Sequence, residues 1–351
     1  MIKIGIIGLG YWGPNYVRNL VGMDGVSVEL ICDQDSAALA RIRKNYPFLK
    51  TTTASEQVLE TKDLDAVIVA TPAGAHFSLV SAALEADKHV LVEKPLALDP
   101  VQGRQLAKLA TRKGKTLMVA YTFLYNAAVR KLKELVDSGE LGDVYYLHAA
   151  RTNLGPVRRD VNALWDLAPH DLSIFYYLLG KWPGQVSATG GTYLQDNVAD
   201  VEFASLHYGA GVMGHFHVSW LDPRKVRQVT VVGSKKMALF DDLDSVSPVK
   251  LFDKGVMKNR FEKAYSSFEE FKIMTRDAGV IVPKVAQEEP VKVQCRHFID
   301  CLREGRPPLS GAGLGSEMLY VLKALDQSLS HKGRLQRVAL PARGPRSAVV
   351  S

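Results

Sequence analysis

The chain has 351 residues, of which 47% are hydrophobic and 23% charged, and a formal net charge of +7. That length is too great for one ordinary compact domain and comfortable for two. No apolar run approaches the roughly 18 residues that a membrane helix needs, and three scattered cysteines, Cys32, Cys295 and Cys301, exclude a disulfide framework or a zinc site.

The first residues run directly into a strand pattern without a signal-peptide layout, and the cysteines read as small buried hydrophobes. The cytoplasm is the expected compartment. The basic residues are dispersed except in the C-terminal tail and no nucleic-acid motif is present, so the positive charge suits small polyanionic ligands rather than nucleic acid.

In chain order, strands are expected at 3–7, 26–32, 66–70, 89–92 and 116–120. Helices are expected between them at 12–21, 36–45, 55–59, 75–85 and 99–112. This alternation implies a parallel sheet with helices on both faces. Val67-Ile68-Val69-Ala70, apolar without alternation, fits a strand covered on both sides. After residue 120 the rhythm changes. A helix is expected at 126–137, a strand at 144–151, an irregular stretch at 152–164, and a helix at 167–179 stopped by Gly180 and Pro183. From 185 to 241 the pattern is strand–turn–strand. Val212, Gly214, Phe216, Val218 and Trp220 share one face, and Met213, His215, His217 and Ser219 the other, as in an antiparallel sheet. Helices at 291–303 and 316–330 flank a segment rich in glycine and proline, and residues 332–351 read as a loosely ordered basic tail.

Gly8-Leu9-Gly10-Tyr11-Trp12-Gly13 has the G-x-G-x-x-G pattern after an expected strand and at the start of an expected helix. Gly8 permits the tight turn, Gly10 lets the backbone approach a pyrophosphate, and Gly13 lets helix and sheet pack closely. The helix N-terminus then offers free N–H groups to phosphates. Asp33, at the end of the second strand, is placed to accept hydrogen bonds from the adenosine ribose, which favours NAD over NADP. Arg41 and Arg43 downstream leave a 2′-phosphate conceivable.

Glu93-Lys94-Pro95 follows the fourth of these strands, where open parallel sheets bind ligands, and Pro95 restricts the backbone of Lys94. A surface lysine before a helix-start proline fits the pattern equally. In Trp165-Asp166-Leu167-Ala168-Pro169-His170, a helix would bring Asp166 and His170 to one face, with Pro169 in the first turn. A carboxylate beside an imidazole fixes its tautomer for acid–base work. Asp166 as a helix cap and His170 as a packed core histidine is the competing reading.

These three motifs, in this order and spacing, resemble the Gfo/Idh/MocA oxidoreductase family over about residues 1–330. The resemblance implies a Rossmann domain at 1–121. An α+β domain at 122–331, with a mostly antiparallel open sheet, would bind substrate and form oligomers. It implies an NAD(P)-dependent oxidoreductase acting on sugar alcohols. Lys94 would stabilise the developing alkoxide, His170 would be the general base, and Asp166 would orient His170. The peptide bond before Pro95 is expected to be cis. Gly8, Gly10, Tyr11, Trp12, Gly13, Asp33, Thr71, Pro72, His76, Glu93, Lys94 and Trp165 would contact the cofactor. More narrowly, 10–15 and 153–158 resemble UDP-N-acetylhexosamine-type 3-dehydrogenases, which implies a nucleotide-sugar substrate and a 3-keto product. Tyr125, Asn126, Arg151, Asn153, Arg158, Asn162 and His170 are the substrate candidates. Arg151, Arg158 or Arg159 would hold a diphosphate, although solvated surface arginines explain them as well. No metal is expected, because Lys94 supplies the electrophile. His215 and His217 read as a polar or subunit-facing surface, in a homodimer or homotetramer. The alternatives are a dehydrogenase of free sugars or inositols, a keto-sugar reductase, and a non-catalytic NAD(H) sensor.

Overall fold

In the computed structural model, residues 1–256 and 275–341 are described. The first part of the chain supplies β1 (Ile2–Ile7), α1 (Gly13–Val21), β2 (Val26–Cys32), α2 (Ser36–Asn45), β3 (Lys50–Thr52), α3 (Ser55–Glu60), β4 (Ala66–Val69), α4 (His76–Glu85), β5 (His89–Val92), α5 (Pro100–Lys113) and β6 (Leu117–Val119). The strands form one wholly parallel sheet in the order β3-β2-β1-β4-β5-β6. Ala66, Val67, Ile68 and Val69 are completely buried, as an apolar run without alternation requires. The strand order reverses between β1 and β4, so a crevice opens beyond their carboxyl ends. β3 is the one strand of this sheet that the pattern does not announce, since three residues carry too little periodicity.

The second part supplies α6 (Ala127–Asp137), β7 (Val144–Leu154), α7 (Ala163–Leu179), β8 (Gln185–Gly191), β9 (Val201–His207), β10 (Met213–Ser219), β11 (Leu221–Gly233), β12 (Met237–Asp241), β13 (Val249–Val256), β14 (Thr275–Ile281), α8 (Pro290–Glu304), α9 (Ala312–Ser330) and β15 (Gln336–Arg337). Its sheet runs β14-β13-β12-β11-β7-β10-β9-β8-β15. Only the β7–β10 pair is parallel among the described strands. Along β10, Gly214, Phe216 and Val218 are buried, while Met213, His215 and His217 are partly open, which matches the expected alternation. Tyr146, Phe203 and Met213 are exposed on strands β7, β9 and β10.

α7 starts four residues earlier than its apolar pattern suggests. The side chain of Asn162 caps it by accepting from the backbone N–H of Trp165 at 3.0 Å. Asp166 therefore lies inside the helix, and Pro169 sits in the second turn rather than the first. Part of the expected tail is ordered: β15 pairs with β8, and Val338 is buried. Residues 342–351 lie outside the described residues.

The closing helices return to the first sheet's layer. Gln294 of α8 donates to the Tyr16 hydroxyl of α1 at 3.2 Å, and a Cβ built on Gly103 of α5 would strike Leu319 of α9 at 2.4 Å. A boundary at residue 121 thus separates the strands of the two sheets but not their helical layers. No described helix is long and apolar enough to cross a membrane.

Candidate active site

The loop from β1 to α1 is shaped by its three glycines, each for a different reason. Gly8 has φ +98°, and a Cβ there would lie 2.6 Å from the carbonyl of Ala70. A Cβ on Gly13 would lie 2.1 Å from the Gly8 oxygen, so contact between loop and helix forbids one. Gly10 is different: a Cβ there meets nothing within 4 Å, so the loop stays bare at a place where the protein's own packing does not require it. α1 begins with no side-chain cap, which leaves its first N–H groups for an anion. Asp33 accepts from the backbone N–H of Leu9 at 2.5 Å and of Asp35 at 2.8 Å, which fixes its carboxylate beside the loop. Arg41, the nearer phosphate candidate, leans on Asp35 at 3.6 Å. This loop has the shape and donor set for a dinucleotide pyrophosphate, and the Asp33 carboxylate lies against it.

Beyond β5 the chain turns through a cis Lys94–Pro95 bond, as expected. Lys94 then meets α7. Its Nζ donates to the backbone carbonyl of Asp166 at 2.7 Å and to Oδ1 of its carboxylate at 3.1 Å. An ammonium has three donors, so one remains for the cleft. Asp166 also accepts from Arg158 Nη1 at 3.1 Å and from Trp220 Nε1 at 3.2 Å. Burial opposes its ionisation, but the charges of Lys94 and Arg158, with hydrogen bonds from Lys94 and Trp220, hold it below the ordinary aspartate range.

His170 lies one turn further along α7 and lines the same cleft, its ring edge-to-face with Phe123 at 5.2 Å. Burial first, then the charges of Lys94, Arg151 and Arg227, hold its pKa well below 6.5. The imidazole is neutral and able to accept a proton. One expectation needs correcting. Asp166 spends its oxygens on Lys94, Arg158 and Trp220, and His170 Nδ1 is buried with no partner among the described residues. Asp166 orients the lysine, not the histidine.

Lys94, Asp166, His170, Tyr11, Trp12, Arg151 and Asn153 all line one cleft of about 510 Å³. Other expected contacts fall elsewhere. Tyr125 is buried, its hydroxyl 3.0 Å from Ser310 Oγ. Asn162 caps α7 and donates to Asp326 at 3.3 Å. Trp165 is packed in the core cluster. Glu93 is a buried carboxylate that accepts from the Tyr16 hydroxyl at 2.6 Å and from the Lys94 N–H at 3.2 Å. Burial raises its pKa, opposed by Tyr16 and Lys94. It ties β5 to α1. His76 is fully buried between two carbonyls, Pro95 at 2.7 Å and Thr71 at 2.9 Å, and so braces the loop containing Thr71 and Pro72 against the one carrying Lys94. All five were expected at ligand surfaces; the polar side-chain atoms of Tyr125, Asn162, Glu93 and His76 are engaged by neighbours, and Trp165 is packed in the core.

Nor are the expected phosphate arginines free. Arg151 is buried and grips Asp171 through Nε and Nη2 at 2.8–3.2 Å, with its guanidinium 4.4 Å above the Phe123 ring. Arg158 is shared between Asp160 and Asp166. Arg159 is exposed and does not line the cleft.

The cleft also contains residues that the sequence did not single out: Thr122, Phe123, Trp220, Lys225, Arg227 and Asp242. Lys225, Arg227 and Asp242 come from β11 and the end of β12, more than fifty residues from His170, and strand pairing brings them there. Thr122 and Phe123 lie in the short helical turn before α6, and Trp220 lies between β10 and β11. Among the described residues no group of three or more His, Cys, Asp or Glu side chains is placed to hold a metal ion.

Comparison with known proteins agrees with this geometry. Residues 2–121 match the oxidoreductase family model with an NAD-binding Rossmann fold, and residues 129–239 match the GFO/IDH/MocA C-terminal domain. An uncharacterized oxidoreductase of Streptococcus pneumoniae is 29% identical, and the match spans 54% of this chain and 54% of that protein. A myo-inositol 2-dehydrogenase of Thermotoga maritima is 24% identical over 94% of this chain and 97% of its own. The UDP-N-acetylglucosamine 3-dehydrogenase GnnA of Acidithiobacillus ferrooxidans shares the fold, with a TM-score of 0.79, 20% identity, and coverage of 94% and 98%. With both domains matched in order around one cleft, the chain belongs to the Gfo/Idh/MocA family of NAD-binding oxidoreductases.

Proposed function

We propose that the protein oxidises a secondary alcohol of a sugar, at C3 of a nucleotide sugar, and yields the 3-keto sugar. The observation that carries this reading is the convergence of Lys94, Asp166 and neutral His170 in one cleft beside the dinucleotide loop. Bound NAD supplies the hydride acceptor. The glycine loop and α1 hold its pyrophosphate, and Asp33 its ribose, where a carboxylate repels a 2′-phosphate. His170 takes the hydroxyl proton, so that electrons on oxygen can form the carbonyl as the carbon loses hydride. The remaining Lys94 donor stabilises the negative charge that develops on that oxygen. Asp166 holds the Lys94 ammonium aimed at the cleft.

The nucleotide-sugar assignment is supported by the charge of the cleft: with Arg151 neutralised by Asp171, its lining still has three cations, Lys94, Lys225 and Arg227, against two carboxylates, Asp166 and Asp242. A second reading, oxidation of a free inositol or hexose, is favoured by the Thermotoga relative. The open sheet face with Tyr146, Phe203 and Met213 would be covered in a homodimer or homotetramer.

The test is to mix purified protein with NAD and a panel of UDP- and dTDP-sugars beside free hexoses and inositols, and to follow NADH absorbance at single-turnover amounts. Absorbance with a nucleotide sugar alone is the expected result. Absorbance with free polyols alone establishes the second reading. Silence throughout, with keto sugars also left unreduced, overturns the activity.

A further inference from the structure

We infer that Lys225 and Arg227 form the subsite that holds the anionic, phosphate-bearing end of the substrate. This rests on the proposed sugar oxidation for its meaning but is tested apart from it.

The placement begins with an irregularity between β7 and β11. Leu221 pairs with Leu154, and the next pair is Val226 with Thr152, so β11 has extra residues over this stretch. The protrusion is tied down twice. Thr152 Oγ1 donates to the Arg224 carbonyl at 3.0 Å, and the Arg224 N–H donates to Asp222 Oδ1 at 2.9 Å. Lys225 follows directly, exposed at the cleft wall, with no hydrogen bond or ion pair among the described residues. Arg227 lies two residues on in the same strand and lines the same cleft.

Arg227 stands directly opposite Arg151 in the β7–β11 pairing. Two like charges opposed on neighbouring strands repel. The buried Arg151 is neutralised from beneath by Asp171. Among the described residues the Arg227 side chain is met by Asp242 alone, through Nη1 at 3.2 Å, and Asp242 also accepts from Asn126 at 3.4 Å. Its Nε and Nη2 donors have no partner among those residues. A phosphate suits this pair: the guanidinium offers a fork and the lysine a mobile point charge. Of the arginines expected to do this from sequence, Arg151 and Arg158 are already committed to carboxylates and Arg159 does not line the cleft.

The experiment is calorimetric titration of the NAD-loaded protein with UDP and, separately, with inorganic pyrophosphate. Prior loading fills the dinucleotide loop, so that it does not take up the probe. Wild type is compared with Lys225→Ala, Lys225→Glu, Lys225→Arg and Arg227→Gln. The expected result is binding by wild type that weakens about 10-fold or more in Lys225→Ala and Arg227→Gln, falls further in Lys225→Glu and is retained in Lys225→Arg. Lys225 is exposed, so its variants remain informative even if Arg227→Gln folds poorly. Unchanged affinity in the lysine variants, or no binding of either probe by wild type, overturns the subsite. Turnover of neutral sugars does not enter this readout. Anion binding that depends on Lys225 in a protein that oxidises no sugar supports the subsite and sinks the activity. Efficient sugar oxidation without anion binding does the reverse.

Discussion

Lys94 donates twice to Asp166, once to its backbone carbonyl at 2.7 Å and once to its carboxylate at 3.1 Å. The pair joins the end of β5 to the first turn of α7, and so fixes the crevice of one domain against a helix of the other. Its side chains are 8% and 16% exposed, which makes loss of one partner costly for the other. Asp166→Ala leaves Lys94 only the backbone carbonyl, leaves Arg158 only Asp160, and strands the Trp220 N–H. We expect a loss of about 3 kcal/mol in chemical denaturation. Asp166→Asn keeps the shape and an acceptor but not the charge. It should fold, bind NAD, and lose about 10²-fold or more in kcat, because Lys94 is no longer held toward the reacting oxygen. Normal kcat in Asp166→Asn would show that the pair is merely a structural tie.

His170 gives a pH prediction for both activity and stability. Its pKa is depressed in the folded state, first by burial and then by Lys94, Arg151 and Arg227. The unfolded chain therefore binds the proton at higher pH than the native one. Stability contributed by this group is complete above about 6.5 and is lost as pH falls from there toward the folded pKa. His170→Gln should flatten that part of the stability curve. For the wild type, the acidic limb of the kcat profile should lie well below 6.5, since the base stays unprotonated. His170→Ala should cut turnover by about 10²–10⁴-fold while leaving NAD affinity nearly intact. An acidic limb centred at 6.5 would mean that a solvent-exposed group, not His170, controls the rate.

Much of this was legible in the residues, and the gaps have physical causes. The parallel sheet declared itself because strands buried on both faces are uninterrupted apolar runs, as at Val67–Val69. Lys94 and His170 were found because each belongs to a short local motif. The start of α7 was misplaced because its cap, Asn162, lies at the end of an irregular polar stretch, and Asp166 and Pro169 look like start signals for a helix beginning a turn later. Tyr125, Glu93 and His76 look like ligand contacts in one dimension. Whether a polar side chain faces a cleft or a neighbouring carbonyl depends on packing that no local pattern encodes. Lys225 and Arg227 escaped notice for the converse reason, since their position depends on how β11 pairs with β7.

The glycine loop separates folding from binding. At Gly10 an added methyl meets nothing of the protein within 4 Å, whereas at Gly13 it would meet the Gly8 oxygen at 2.1 Å. Gly10→Ala should melt with the wild type in the absence of cofactor but lose about 10-fold or more in NAD affinity, since the methyl enters the space where the pyrophosphate approaches the backbone. Gly13→Ala should lose both, with destabilisation of about 1–3 kcal/mol from the overpacked contact. Asp33→Ala should weaken NAD while narrowing its advantage over NADP. Thermal melts with and without each cofactor check all three. Full NAD affinity in Gly10→Ala would place the pyrophosphate elsewhere.

Glu202 provides a second pH effect of opposite sign, outside the residues that line the cleft. It is completely buried on β9, no cation pairs with it among the described residues, and Asp200, also completely buried, lies two residues before it. Burial, then the negative charges of Asp200 and Asp326, raise its pKa from 4.5 to about 9. In the unfolded chain it ionises near 4.5. Between these values the native state holds a proton that the unfolded state has released. This group therefore lowers stability progressively as pH rises from about 4.5 to about 9, and costs nothing further above that. Glu202→Gln keeps the volume and removes the titration. Relative to wild type, it should gain on the order of 2 kcal/mol at pH 8 and little at pH 4.5. Denaturant melts of both proteins across this range check the sign. A Glu202→Gln variant that is uniformly less stable at every pH would mean that the native protein keeps Glu202 ionised and satisfied.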